Sequence, residues 1–103
     1  VIDHSAIAGF DWDEGNARKN ERHGVSMAEA EQLFFNAPLL LLDDVAHSQS
    51  EPRYHALGKT TQGRRLHCSF TLREDGRLIR VISARAMNRK EQEVYDQAPQ
   101  DNP

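Results

Sequence analysis

Apolar and polar residues alternate most cleanly between Arg65 and Leu72. Leu66, Cys68, Phe70 and Leu72 fall on one side, and Arg65, His67, Ser69 and Thr71 on the other. A period of two over eight residues defines a half-buried strand. Glu74-Asp75-Gly76 follows with an Asp-Gly hairpin signal, so Arg77–Ala84 is predicted to pair antiparallel with it. Strict alternation through this partner puts Ile79, Val81, Ser83 and Arg85 on one face, and Leu78, Arg80, Ile82 and Ala84 on the other. Two further strands are expected at Leu39–Asp43 and Tyr54–Lys59. They are separated by the polar loop Asp44–Arg53, and the second closes in the turn Thr60–Gly63.

Before the strands the period is helical. Asp11 or Asp13 can cap a polar helix through about His23, and Gly24 supplies the left-handed residue that ends it. Ser26-Met27-Ala28-Glu29 is a capping box. The segment after it repeats Met27, Ala30, Leu33 and Phe34 at three- and four-residue spacings, and Asn36-Ala37-Pro38 stops it. Asn88 caps a last helix through about Gln97. The expected fold class is α+β: two N-terminal helices, a four-stranded antiparallel sheet and a C-terminal helix, with the helices on one face. One domain over residues 10–97 accounts for these elements. Residues 1–9 are set aside as an N-terminal extension or processing remnant, with Phe10-Asp11-Trp12 as a short strand or entry segment, and 98–103 form a tail.

Composition narrows the class. The 103 residues are 38% hydrophobic and 28% charged, with a mean hydropathy of −0.74, which suits one small core and excludes two full domains. The longest apolar run, Pro38–Leu42, is far short of the roughly 20 residues of a membrane span. A lone cysteine, Cys68, forms no internal disulfide, so a reducing cytoplasm is the expected location. The net charge of −3 hides a strong asymmetry. Residues 1–52 carry −7, residues 53–90 carry +8, and the remainder −4. Eight of the ten basic residues in the middle segment are Arg, suited to bidentate phosphate contact. Acidic helices that neutralise a basic sheet would produce the same asymmetry.

His47, Glu51 and His55 are spaced by four, as on a helix that holds a metal, but Pro52 would sit inside that helix at a cost of about 3 kcal/mol. Neither a metal nor a cofactor is expected. A nucleophile elbow, a P-loop and a dinucleotide fingerprint are all missing. The remaining chemistry is an Arg-rich sheet with hydroxyls and imidazoles. Metal-independent RNA cleavage needs groups that position phosphate, stabilise its developing charge and move protons. Two other classes fit parts of the chain. One is a helix-turn-helix regulator built on 13–35, although its second helix is acidic and apolar; the other is an inactive interaction module.

Several phrases, in order, resemble one family. They are Phe10-Asp11-Trp12-Asp13, Lys19-Asn20-x-x-His23-Gly24-Val25-Ser26, Glu29-Ala30, Asp44-x-x-His47-Ser48-x-x-Glu51-x-Arg53-Tyr54, and Ile82-Ser83-Ala84-Arg85-x-x-x-Arg89-x-Glu91-x-x-x-Tyr95. Together they resemble BrnT-type toxins over about 10–97. The resemblance implies a RelE-like ribonuclease toxin that inhibits translation and is neutralised by a BrnA-like ribbon-helix-helix antitoxin. It further implies that operator DNA is bound only through the antitoxin complex. Carried over residue by residue, it places catalysis on Arg64, Ser83, Arg85, Tyr95 and His23, and substrate binding on Arg53, Glu51, Arg65 and Arg89. In those roles Arg85 holds the scissile phosphate, Arg64 stabilises its charge, and Tyr95 or His23 moves a proton. The last helix departs from the family in turning acidic after Lys90, at Glu91, Glu93 and Asp96.

Overall fold

The computed structural model describes residues 4–47 and 50–98. Val1, Ile2 and Asp3 of the expected extension, Ser48 of the loop phrase, and 99–103 of the expected tail lie outside the described residues. The described elements are β1 (Gly9–Phe10), α1 (Glu14–Arg22), α2 (Met27–Gln32), β2 (Leu40–Asp43), β3 (Tyr54–Lys59), β4 (Arg65–Arg73), β5 (Leu78–Ala86) and α3 (Arg89–Asp96). Short 3₁₀ turns occur at His4–Ala6, Leu33–Phe35 and Val45–His47.

The class is α+β, but the sheet is not the four-stranded antiparallel one expected. It has five strands in the order β1-β5-β4-β3-β2, and β1 runs parallel to β5. The short strand or entry segment expected at Phe10-Asp11-Trp12 is the two-residue strand Gly9–Phe10, and two residues carry no periodicity that would fix its partner or direction. Backbone pairing defines it: Ala8 N–H donates to Arg77 O at 2.7 Å and Asp11 N–H to Ile79 O at 2.8 Å. The other three pairings are antiparallel, including the hairpin across Glu74-Asp75-Gly76, whose three residues all have positive φ.

One face of the sheet carries the main core. Val25, Ala30 and Leu33 pack with Ala56, Leu66, Cys68, Phe70, Ile79, Val81 and Ala84, all nearly inaccessible. Asp13 caps α1, its Oδ1 accepting from Asn16 N–H at 2.7 Å, and the Ser26–Glu29 capping box starts α2. Gly24 ends α1's turn at φ 74°, a conformation that L side chains rarely adopt. At Gly58 a Cβ would meet Leu33 Cγ at 3.1 Å, so a side chain there would hold the turn away from the sheet.

The polar character of α1 has a structural use. Where β1 runs out, the edge of β5 is satisfied by α1. Asn16 Nδ2 donates to Val81 O, and Ala84 N–H donates to buried Asn20 Oδ1, each at 2.9 Å. The expectation of helices on one face also fails. α3 lies against the opposite face, where Tyr95 and Met87 pack on Leu57 and Leu40. Leu57 and Leu40 supply the apolar footing on this face, which gives α3 a place to bury Tyr95.

Candidate active site

The face under α3 is built by register. Leu42 lies opposite His55, His55 opposite Ser69, and Ser69 opposite Ser83; one step along, Leu57 pairs with His67 and His67 with Arg85. Side chains in register share a face. Ser83 and Arg85 join this row because of a β-bulge. Ser69 pairs with Ser83 while Phe70 pairs with Val81, which leaves Ile82 as the extra residue of β5. One inserted residue shifts the alternation. Val81 and Ala84 consequently both enter the core, and Ser83 and Arg85 face away from it. The strict alternation that grouped Ser83 and Arg85 with Ile79 and Val81 is corrected here.

The result is a cleft of about 490 Å³ lined by Leu42, His55, Leu57, His67, Ser69, Ser83, Arg85, Lys90, Glu91 and Val94. Its floor holds two imidazoles in contact, with His67 Nε2 3.0 Å from His55 Nδ1. Ser69 Oγ shares that nitrogen at 3.3 Å, and His55 Nε2 lies 3.1 Å from Asp44 Oδ2. Burial and the neighbouring Arg85 charge push the pKa of His67 down, although Glu91 opposes them, so the site favours the neutral ring. The buried His67 Nδ1 has no hydrogen-bond partner among the described residues.

Arg85 is held by a fork: its Nη1 and Nη2 donate to Glu91 Oε1 and Oε2 at 2.7 and 2.9 Å. Glu91 also accepts from Asn88 N–H at 2.9 Å, closing the capping box of α3. The Arg85 hydrogen bonds outweigh burial and, with the Asn88 N–H and the charges of His67 and Arg85, lower the Glu91 carboxyl from 4.5 to about 2. A depressed carboxylate stabilises the fold fully above its unfolded value and loses that contribution as pH falls through the folded one. Glu91 is only 19% exposed, and this shift corresponds to about 3 kcal/mol. Urea unfolding of Glu91→Gln should therefore show a deficit of that order at pH 7 that narrows between pH 4.5 and pH 2; an unchanged gap at pH 2 would locate the loss elsewhere.

Of the residues picked from the sequence, the fold brings Ser83 and Arg85 together in the cleft. Tyr95 is buried, and its hydroxyl donates to Pro38 O at 2.6 Å, anchoring α3. Arg64 reaches the opposite side of the sheet, donating to Gly24 O at 2.6 Å and to Glu29 at 3.1 Å. His23 is exposed at the end of α1, one residue from that Gly24 contact. Arg65 pairs with Asp96 and Gln92 on α3, while Glu51 pairs with Arg73 at 2.9 Å. Arg89 is exposed at the first position of α3, and Arg53 O accepts the Asp44 N–H at 2.9 Å. Arg80 bonds Asp11 and Asp13. Among the described residues, Arg64, Arg65, Arg73, Arg80 and Arg85 of the basic segment meet carboxylates, so internal neutralisation explains much of the charge asymmetry.

The sequence does not mark His55 and His67 as a pair. The polar side of β4 contained His67, and His55 entered only through the four-residue spacing that Pro52 breaks; their meeting depends on the β3–β4 register. The helix-turn-helix alternative loses its reading element. α2 is six residues long, and Ala30 and Leu33 face the core.

An imidazole pair and an arginine in one open cleft of an α+β fold are groups whose chemistry suits a phosphodiester. A family model described as the ribonuclease toxin, BrnT, of type II toxin-antitoxin systems matches residues 12–91. The chain belongs to this family of ribonuclease toxins, and membership implies a cognate antitoxin. The match includes both imidazoles and Arg85, and ends on Glu91. No curated protein matches the chain. Among the described residues no helix is long and apolar enough to cross a membrane.

Proposed function

We propose that the chain is a metal-independent endoribonuclease that inhibits translation by cutting RNA in the cleft beneath α3. The observation that carries this reading is the contact of His55 with His67, with Arg85 on the adjacent strand of the same face. In the reaction His55 Nδ1 accepts the proton of a ribose 2′-OH, which displaces both His67 Nε2 and the Ser69 hydroxyl from that nitrogen. The freed 2′-oxygen attacks phosphorus, the bond to the 5′-oxygen breaks, and the products are a 2′,3′-cyclic phosphate and a 5′-hydroxyl. The leaving oxygen takes its proton from water, which reaches a cleft where Arg85 is 42% exposed. Arg85 and Lys90 stabilise the charge on the pentavalent state, and Ser83 offers a hydroxyl to the phosphate.

This reading centres catalysis on Ser83 and Arg85 and adds the imidazole pair. Arg64, Tyr95 and His23 are left outside the cleft, because their contacts anchor α2, α3 and the end of α1. The partner proposed is a BrnA-like ribbon-helix-helix antitoxin, which carries the operator contacts of the complex.

The test is incubation of the purified chain with single-stranded RNA in EDTA. Cleavage that chelation leaves unchanged, with cyclic phosphate ends detected by mass spectrometry, is the expected result. A requirement for added metal, or no cleavage by a folded chain that still binds its antitoxin, would overturn the proposal. The second outcome would favour the inactive module, whose Arg85 stays occupied by Glu91.

A further inference from the structure

The loop after β2 delivers a carboxylate to the back of the imidazole pair. Asp44 N–H donates to Arg53 O at 2.9 Å, tying the two ends of the loop together. The Asp44 carboxylate then receives His47 Nδ1 at 2.9 Å on one side and His55 Nε2 at 3.1 Å on the other. An ionised carboxylate only accepts, so the hydrogen of His55 must sit on Nε2 and the lone pair of the neutral ring on Nδ1. That lone pair points at His67 Nε2 and Ser69 Oγ, on the cleft side. Protonation of His67 is opposed by its burial and by Arg85.

We infer that Asp44 is a positioning residue that fixes the tautomer of His55, aims its lone pair into the cleft and stabilises the imidazolium formed when a substrate hydroxyl is deprotonated. The inference rests on the ribonuclease reading for its purpose, but its geometry is independent of that reading. Among the described residues, the polar and charged groups facing the pair are Asp44, with His47 on it, from the loop; Ser69 from β4; Ser83 and Arg85 from β5; and Lys90 and Glu91 from α3. Among these, Asp44 is the carboxylate in hydrogen-bond contact with His55, whereas Glu91 lies 3.9 Å from His67.

Two readouts test this. The first is the tautomer of His55 from long-range ¹⁵N–¹H NMR; the second is the pH profile of kcat on an RNA oligonucleotide. The wild-type ring is expected as the Nε2–H form at pH 8. Asp44→Ala should mix the tautomers and lower kcat on the order of 10²-fold with KM little changed. The acid limb of the profile should move to lower pH, because the protonated pair has lost its carboxylate. Asp44→Asn keeps an acceptor for Nε2–H and removes the charge. It should retain the tautomer yet still shift the limb, and it carries the test if the alanine variant fails to fold. An Nδ1–H form in the wild type, or an unchanged tautomer and profile in a folded Asp44→Ala, would overturn the inference. If the wild type cuts no RNA while its tautomer depends on Asp44, the positioning stands and the ribonuclease reading of the cleft fails.

Discussion

Arg85→Ala is expected to lower RNA cleavage by about 10²–10³, the usual loss for a preorganised donor aimed at developing charge. Arg73→Ala removes the same charge from the neighbouring strand, but Arg73 is paired with Glu51 and is not among the residues lining the cleft. Its loss should change mainly affinity and salt dependence. Arg85→Lys is the sharper comparison: it keeps the charge and loses the two-pronged fork that now grips Glu91 at 2.7 and 2.9 Å. Because Arg85→Ala also strands a part-buried carboxylate, antitoxin binding and thermal melting must confirm that the variant is folded. Similar losses for Arg73→Ala and Arg85→Ala would replace a localised site with diffuse electrostatics.

The largest loss of stability should come from Phe70→Ala. Phe70 is 1% exposed at the centre of the sheet, with ring centroids 5.2 Å from Phe34 and 5.4 Å from Tyr54. Truncating a buried phenylalanine costs about 3–5 kcal/mol in lost transfer energy and residual cavity. At ~4 °C per kcal/mol for a domain near this size, Tm should fall by roughly 15 °C. Phe35, in the same turn as Phe34 but 78% exposed, is the contrast. Its alanine variant should stay within about 0.5 kcal/mol of the wild type. Equal drops on calorimetry would show that the ring cluster is not the centre of the core.

Local chemistry made much of the fold readable. Leu66, Cys68, Phe70 and Leu72 do face the core side, the Asp-Gly signal does mark the β4–β5 hairpin, and the Ser26–Glu29 and Asn88–Glu91 caps do open α2 and α3. Each depends on neighbours a few residues apart. The bulge at Ile82 has no such local mark in β5, and it reversed the face assigned to Ser83 and Arg85. Tyr95 shows the same limit from the other side. Its place in a matching phrase suggested chemistry, whereas its hydroxyl is spent on Pro38 O.

By itself the sequence determined the periods, the caps, the turns and the family, because those are properties of contiguous residues and of their order. Only the tertiary structure decided the parallel β1, the second helical face and the imidazole pair. Gly9 and Leu78, Leu57 and Tyr95, and His55 and His67 are brought together by backbone pairing and packing between residues far from adjacent in sequence. Which residues become neighbours there follows from register and the burial of opposing faces, and neither is written in the local pattern of either partner.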